Sequence, residues 1–386
     1  MNIYKDMIYR YLKTLAATAL ALCACACSLT GGDDDEDAVQ TLTLEADTYV
    51  ITADGNSAAQ LIVKYGDTEV SEGIRFYLVG KDGKNTPIDV PALLFCTEKP
   101  GSYTIWCSYK AQLSNKITIS ALSKALPLPG LPEDSDPMNI NFHRRIFITQ
   151  FTGTGCPNCP NMISMLRNFA QNETYKDLYV LAAVHTYNSD DPMYIRDLAN
   201  LLITLGGNGY PTVCFDMNPS TLIRNNTLSV LATIFESTFV NEYNSISTKA
   251  GLSASLVTDA GQAALKVGVK AGANGNYRVG AWLLEDGIEA KQSNNGTAGN
   301  FSTHNNAVRA IAGCNAAKND FSGTEVSLSA GASASFDFAF AFDSDVKPEN
   351  CHAAVYVSEK IGAKWIVTNV IDVHPGESKG FEYDAD

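Results

Sequence analysis

The sequence is poor in basic residues and has no hydrophobic run long enough to cross a membrane. Lysine and arginine number 28 against 42 aspartate and glutamate residues, so the 386-residue chain carries a net charge of −14. A chain of this charge is not expected to bind nucleic acid or an anionic membrane surface. The strings G-x-S-x-G, H-E-x-x-H and the phosphate-binding P-loop do not occur either, so no motif indicates a hydrolase or a nucleotide-binding protein.

The length and the pattern of elements predict a multidomain protein. Hydrophobic residues make up 45% of the sequence, which is enough to bury a core, and 386 residues usually divide into two or three domains. We predict an N-terminal β-sandwich, a central α/β domain and a C-terminal β-sandwich. No motif indicates a cofactor or a metal ion.

The first 24 residues have the features of a bacterial signal peptide. Basic residues precede the apolar stretch TLAATALALCACAC, which is too short to span a bilayer. The tetrapeptide LCAC, Leu22 to Cys25, resembles the lipobox of bacterial lipoproteins. The resemblance implies that Cys25 is lipidated and anchors the chain to a membrane. Cys27 is a poorer alternative because Ala24 takes the place of the leucine, and an ordinary secretory signal is a further alternative.

Residues 25–37 form a predicted acidic tether. Five acidic residues are adjacent from Asp33 to Asp37, and such a run repels itself and does not pack into a core. The stretch resembles the export signal of Bacteroidetes lipoproteins that reach the cell surface. The resemblance implies an outer membrane lipoprotein exposed at the cell surface; a plain spacer, or an anchor facing the periplasm, is the alternative.

Residues 38–123 alternate between apolar and polar positions in short runs separated by turn signals, which predicts an immunoglobulin-like β-sandwich. In the run SYTIWCSY the alternation places Cys107 on the inward face. Cys96 and Cys107 therefore form either a structural disulfide or two buried free thiols. Four prolines in eleven residues predict that 124–142 is a linker.

Residues 143–248 alternate strands with helices, which predicts a small α/β layer fold. The helical spacings are carried by Met162, Met165, Leu166 and Phe169, then by Ile195, Leu198, Leu202 and Leu205, then by Leu228, Leu231, Phe235 and Phe239. Residues 249–386 return to strand alternation and predict a second β-sandwich. Its long polar loop, 291–306, is a candidate contact site, and Cys314 and Cys351 are candidates for a bridge.

The string CPNC places Cys156 directly after a buried strand and at the expected start of a helix, with Pro157 in the first helical position. Unpaired N–H groups at a helix N-terminus favour a thiolate over a thiol. Cys159, one turn further, is close enough to attack a mixed disulfide. The pair is therefore a candidate site for exchange with protein thiols or disulfides, with Cys156 as nucleophile and Cys159 as resolving thiol.

The order strand, CPNC, helix and then Gly209-Tyr210-Pro211-Thr212 resembles the thioredoxin superfamily. That resemblance implies that Pro211 is a cis-proline facing the cysteine helix and guiding the substrate backbone. The string TG-x-x-C-x-N-C-P, matched by Thr152 to Pro160, is similar to that of the Bacteroidetes lipoproteins related to outer membrane protein twenty-eight. The similarity covers the central domain well and the C-terminal sandwich loosely.

Two positions depart from the thioredoxin pattern. Gly155 replaces the tryptophan that usually precedes the first cysteine, and Gln150 replaces a buried acid that moves the proton during attack. Gln150 cannot titrate, which puts fast reductase activity in doubt. The alternative functions are therefore a catalyst of thiol–disulfide exchange and a non-catalytic surface lipoprotein with a degenerate thioredoxin-like domain, used as a binding or scaffold module.

Two other kinds of site also use cysteine pairs. A metal site would need about four ligands; His185 could add a nitrogen to the cysteine pair, but such a histidine is more often a local hydrogen-bonding group. A permanently closed structural disulfide is the stronger alternative. Cys214, in the third strand of the central region, is predicted to be an unreactive core thiol.

Overall fold

The computed structural model describes residues 40–80, 83–225, 227–259, 261–296, 299–342 and 344–384. The predicted signal peptide, the candidate lipidation sites Cys25 and Cys27, and the acidic tether lie outside the described residues. Within those ranges, no helix is both long and apolar enough to cross a membrane.

The N-terminal region consists of short strands that form two sheets around one apolar core. The strands are β1 (Leu42–Ala46), β2 (Val50–Thr52), β3 (Ala58–Tyr65), β4 (Thr68–Glu69), β5 (Arg75–Val79), β6 (Asn85–Ile88), β7 (Leu94–Cys96), β8 (Gly101–Tyr109), β9 (Gln112–Leu113) and β10 (Ile117–Leu122). One sheet has the order β1-β3-β4 with β7 also on β3, and the other has the order β2-β10-β8-β5-β6 with β9 on β8. Alternation along β8 buries Ile105 and Cys107 completely between them.

Cys96 and Cys107 do not form a disulfide. Cys107 is buried in the core, whereas Cys96 is exposed, and both are free thiols. In β7 it is Phe95 that points into the core, so its neighbour Cys96 faces outward on the pleated strand. The proposed bridge is therefore wrong, and of the two thiols only Cys107 is buried.

The central region alternates strands and helices as predicted. Its elements are β11 (Ile146–Thr152), α1 (Cys159–Phe169), β12 (Tyr179–His185), α2 (Leu201–Thr204), β13 (Thr212–Phe215) and α3 (Leu228–Ser245). β12 lies parallel to β11 on one side and β13 lies antiparallel on the other. Helices α1 and α3 cover one face, where their apolar residues pack on Ile146 and Ile148.

The predicted second helix is not continuous. Residues Arg196–Leu198 form one 3₁₀ turn, and α2 is a single α-helical turn. The chain before them is held in an extended form, because Ile195 N–H bonds to the carbonyl of His185. The four apolar positions predicted for this helix are nevertheless all buried in one core. At the closing helix α3, Leu228 is exposed rather than buried.

The C-terminal region adds two further layers of strands. They are β14 (Ala250–Asp259), β15 (Gln262–Ala271), β16 (Gly275–Glu285), β17 (Ile288–Glu289), β18 (Thr303–His304), β19 (Ala307–Ala312), β20 (Thr324–Leu328), β21 (Ser333–Ala341), β22 (Cys351–Ile361), β23 (Lys364–Val373) and β24 (Ser378–Lys379). One sheet has the order β21-β15-β14-β24. The 3₁₀ turns of the described residues are Pro91–Leu93, Arg196–Leu198, Pro219–Thr221, Ala316–Lys318 and Pro348–Asn350.

One large sheet joins the central and C-terminal regions. Its order is β13-β11-β12-β19-β16-β22-β23, with β20 also on β16, and β12 meets β19 at the pair Ala183 and Ala307. Phe147 of β11 packs on Trp282 and Tyr356 with ring centroids 4.9 and 5.5 Å away. Hydrogen bonds and packing therefore run across the predicted domain boundary at residue 248, which stays a prediction.

Candidate active site

The two cysteines of CPNC are joined by a disulfide. Their Sγ atoms are 2.07 Å apart and their Cα atoms 5.4 Å apart. Cys156 lies in the turn that leaves β11, and Cys159 is the first residue of α1. The helix therefore begins two residues later than predicted, and Pro160 rather than Pro157 occupies its first turn, where a missing N–H is harmless.

Both cysteines are almost completely buried. The exposed fractions are 1% for Cys156 and 0% for Cys159. The turn is packed closely against the chain that follows β12: a Cβ atom on Gly153 would lie 2.5 Å from Cβ of Tyr187, and one on Gly155 would lie 2.8 Å from Oδ1 of Asn188. A side chain at position 155 would therefore require the Asn188 amide to move.

Pro211 lies at the same edge of the sheet as the disulfide. Thr212, the next residue, pairs with Phe151 of β11, so Pro211 stands beside the end of the strand that leads into the CPNC turn. The Tyr210–Pro211 peptide bond is cis. The Tyr210 hydroxyl donates to the carbonyl of Thr186 at 3.0 Å, which ties this edge to the end of β12.

A buried His–Asp pair supports the turn from the β12 side. His185 pairs with Thr152 in the sheet register, and its Nδ1 is 2.9 Å from Oδ2 of Asp191. The same carboxylate accepts the N–H groups of Thr154 at 2.6 Å and of Met193 at 2.9 Å. Burial raises the pKa of Asp191, but the bonds from His185 and the backbone outweigh it and bring that pKa to about 2. Asp191 is therefore ionised and holds the chain two residues before Cys156.

A cavity of about 190 Å³ lies between α1, the ends of β11 and β12, and residues 303–306. Gln150 and Thr152 line it, and within the described part of the chain neither Nε2 of Gln150 nor Oγ1 of Thr152 has a hydrogen-bond partner. His185 and His304 also line it, with ring centroids 5.4 Å apart. Burial and the neighbouring His185 lower the pKa of His304. The cavity is lined mostly by apolar surface together with these polar groups, and it is large enough for several water molecules.

The segment 290–296 of the C-terminal region reaches the same turn. Gln292 is 5% exposed, and its Nε2 lies 3.0 Å from the carbonyl of Gly153, 3.1 Å from that of Thr154 and 2.9 Å from that of Cys156. Ser293 N–H donates to the carbonyl of Thr154 at 2.7 Å. The loop predicted as a contact site for a partner thus contacts the CPNC turn of its own chain.

The sequence analysis did not identify two residues that contact the CPNC turn, Asp191 and Gln292. Asp191 follows a predicted strand end, which is a weak signal for a polar site. Gln292 lies 136 positions from Cys156, and no spacing rule connects residues so far apart. His185, considered as a metal ligand, is instead the hydrogen-bond partner of Asp191.

The remaining cysteines of the described chain are free thiols in separate places. Cys214 is fully buried, and burial raises its pKa to about 12, as expected for an unreactive core thiol. Cys314 and Cys351 do not form the suggested bridge. Sγ of Cys314 lies 3.0 Å from the Tyr356 hydroxyl, and Sγ of Cys351 lies 3.3 Å from the carbonyl of Lys347.

Comparisons with known proteins connect the chain to outer membrane proteins. Residues 204–379 match the family described as Outer membrane protein Omp28. The matched range contains Pro211 and Gln292 but neither cysteine of the disulfide. This match confirms the resemblance to that family over the matched residues and supports association with the outer membrane. The thioredoxin-like resemblance of 143–248 stays a prediction.

Two solved structures show weaker similarity. HBP35 of Porphyromonas gingivalis is 15% identical with a TM-score of 0.49, and the alignment covers 64% of this chain and 82% of that protein. Domains 4–9 of the surface layer protein SbsC are 8% identical with a TM-score of 0.16, covering 92% of this chain and 69% of that one. No curated protein matches the chain.

Proposed function

We propose that the protein is an outer membrane lipoprotein, exposed at the cell surface and anchored through Cys25, that exchanges thiols and disulfides through Cys156 and Cys159. The partners are protein thiols or disulfides.

In the oxidised form, a substrate thiolate attacks Sγ of Cys156, the bond to Cys159 breaks, and Cys159 leaves as a thiolate that takes up a proton. A second substrate thiolate attacks the substrate sulfur of the mixed disulfide and releases Cys156. Two electrons pass from the substrate dithiol to the pair, and the reverse sequence oxidises the pair.

The observation that carries the proposal is the shared position of the disulfide and Pro211. Both stand at one edge of the sheet, where an extended substrate can lie along residue 210 and present a sulfur to Cys156. The N-terminus of α1, an eleven-residue helix, begins at Cys159, and its partial positive charge stabilises a thiolate formed there. Asp191 and Gln292 hold the turn in place from two sides.

The proposal is tested with a peptide dithiol as substrate and the full chain in its oxidised form. Wild-type protein is expected to oxidise the peptide faster than an equal concentration of a free disulfide does, and Cys156→Ser is expected to abolish the reaction. With the peptide supplied as its disulfide instead, the Cys156 thiolate of Cys159→Ser is expected to attack it, release one peptide thiol and accumulate a mixed disulfide at Cys156, visible by mass spectrometry, because the resolving thiol is gone. Equal rates for wild-type protein and Cys156→Ser would contradict the proposal.

The second candidate is a non-catalytic surface module with a structural disulfide. It is favoured by the burial of both cysteines and by Gln150, which cannot carry a proton. Measuring the reduction potential of the pair separates the two functions. A value below roughly −300 mV, together with an alkylation rate at Cys156 no faster than that of an ordinary thiol, is typical of a structural disulfide.

A further inference from the structure

The segment 290–296 is anchored to the redox turn almost entirely through hydrogen bonds. Gln292 is its one buried side chain, while Lys291, Ser293, Asn295 and Gly296 are exposed. At its base, Ala290 N–H donates to the carbonyl of Ser302 at 2.7 Å, next to the short strand pair of β17 and β18. The base is therefore held by backbone pairing, and the remainder depends on its contacts with the turn.

Those contacts fall on the residues that surround Cys156. The Gln292 amide is close to three carbonyl oxygens, those of Gly153, Thr154 and Cys156. Asn295 N–H donates to the carbonyl of Pro157 at 3.0 Å, and its side chain donates to Oδ1 of Asn158. The segment thus bonds to the turn both before and after Cys156.

We propose that Gln292 is a positioning residue for Cys156 and that the segment 290–296 determines which thiols reach the disulfide. With the segment bonded, Cys156 is 1% exposed, so its sulfur has almost no access to a thiolate in solution. Release of the Gln292 amide removes a donor shared by three carbonyls and lets the turn move away from the segment. Because all these bonds are between neutral groups, release is much less costly than breaking a buried ion pair.

The inference rests on the proposed function for its biological meaning, but access to the disulfide is measured without any catalytic turnover. The full oxidised chain is mixed with dithiothreitol, which supplies the two electrons and becomes a cyclic disulfide. Samples are quenched with iodoacetamide, and the fraction of the Cys156–Cys159 peptide still oxidised is measured by mass spectrometry. A protein that fails the peptide-dithiol assay can still show this dependence on Gln292, so the two failures are distinguishable.

The decisive variant is Gln292→Glu, which keeps the shape of the side chain but replaces the donor with a carboxylate facing three carbonyl oxygens. Gln292→Glu and Gln292→Ala are expected to be reduced at least about tenfold faster than wild-type protein, corresponding to the loss of one or two net hydrogen bonds. Ser293→Ala is the matched control, because Ser293 bonds to the turn through its backbone N–H, and its rate is expected to stay within about twofold.

Global unfolding is monitored in the same samples, because the buried thiols Cys107, Cys214 and Cys351 remain unalkylated while the fold is intact. Should these thiols become reactive in the Gln292 variants, Asn295→Ala provides the test, since it removes the side-chain bond to Asn158 and is expected to accelerate reduction about threefold. Wild-type reduction rates in the folded variants would overturn the inference. So would acceleration in Ser293→Ala equal to that in Gln292→Glu.

Discussion

The N-terminal sandwich and the rest of the molecule bury different kinds of side chain. Among the described residues, no polar or charged side chain is buried between residues 42 and 122, and every one that is buried lies at position 144 or beyond. Burying a polar group is costly unless it is hydrogen-bonded. The core of the N-terminal sandwich is thus apolar, whereas the rest of the molecule, called the second region below, also uses buried polar contacts that hold particular strands and turns in place.

In the second region, buried polar groups connect strands whose relative positions the apolar cores alone would not fix. Arg144 lies 2.5 Å from the carboxylate of Asp216 and donates to the carbonyl of Thr368 at 3.2 Å. The other oxygen of Asp216 accepts the N–H of Phe147 at 2.7 Å. Residues beside β11, after β13 and within β23 are thereby held together. The strand that leads to Cys156 is fixed by this ion pair at its start and by Asp191 just beyond its end.

The largest expected effect is on stability and comes from breaking that ion pair. Arg144→Ala leaves Asp216 buried without its cation, and we expect it to lower the free energy of unfolding by about 3–5 kcal/mol. Arg75→Ala, at an exposed position of the N-terminal sandwich, is the matched control and is expected to cost less than about 0.5 kcal/mol. Urea denaturation measures both. Similar losses for the two variants would show that buried polar contacts do not distinguish the regions.

A smaller effect, dependent on pH, is expected at His352. Burial lowers the pKa of His352, but the carboxylates of Asp286 and Asp372 outweigh it and raise that pKa to about 9. The folded chain therefore binds this proton more tightly than the unfolded chain does. The resulting stability, on the order of 3 kcal/mol, is fully present below about pH 6.5 and is lost as the pH rises through about 9.

We expect His352→Gln to be destabilised relative to wild-type protein at pH 6 and to approach it in stability at pH 10. Denaturation curves at the two pH values give the comparison. They are recorded with a chelator, because His352, Asp372 and His374 each have a potential ligand atom within 4.8 Å of the others, and a divalent cation would compete with the proton. A stability difference between His352→Gln and wild-type protein that does not change with pH would contradict a stabilising proton on His352.

Local patterns in the sequence predicted the elements but not the contacts between them. The strand β11, the helix of Met162 and Phe169, and the strand entered through Pro211 follow from periodicity and turn residues. The start of α1 was misplaced because CPNCP contains two prolines that both suit a first helical turn. The position of Gln292 depends on the pairing of β17 with β18 and on the large sheet, and such long-range geometry leaves no periodic signal.

The smallest expected effect compares two buried glutamines. Gln150 lines the cavity between α1 and the ends of β11 and β12, and its Nε2 has no partner among the described residues. Gln262 is also buried, but it accepts the Ser123 N–H at 2.7 Å and donates to the Ala121 carbonyl at 2.9 Å, where the N-terminal sandwich meets the second region.

Gln150→Glu places a carboxyl group where the thioredoxin resemblance implies a proton carrier, and burial raises the pKa of such a group towards neutrality. We expect Gln150→Glu to accelerate reduction by dithiothreitol about fivefold, which corresponds to about 1 kcal/mol, whereas Gln262→Glu loses stability without changing that rate. Equal reduction rates for the two variants would mean that position 150 does not pass a proton to the cysteine thiolate released when the disulfide is reduced. The buried polar groups near Cys156 would then be structural in the same way as Gln262.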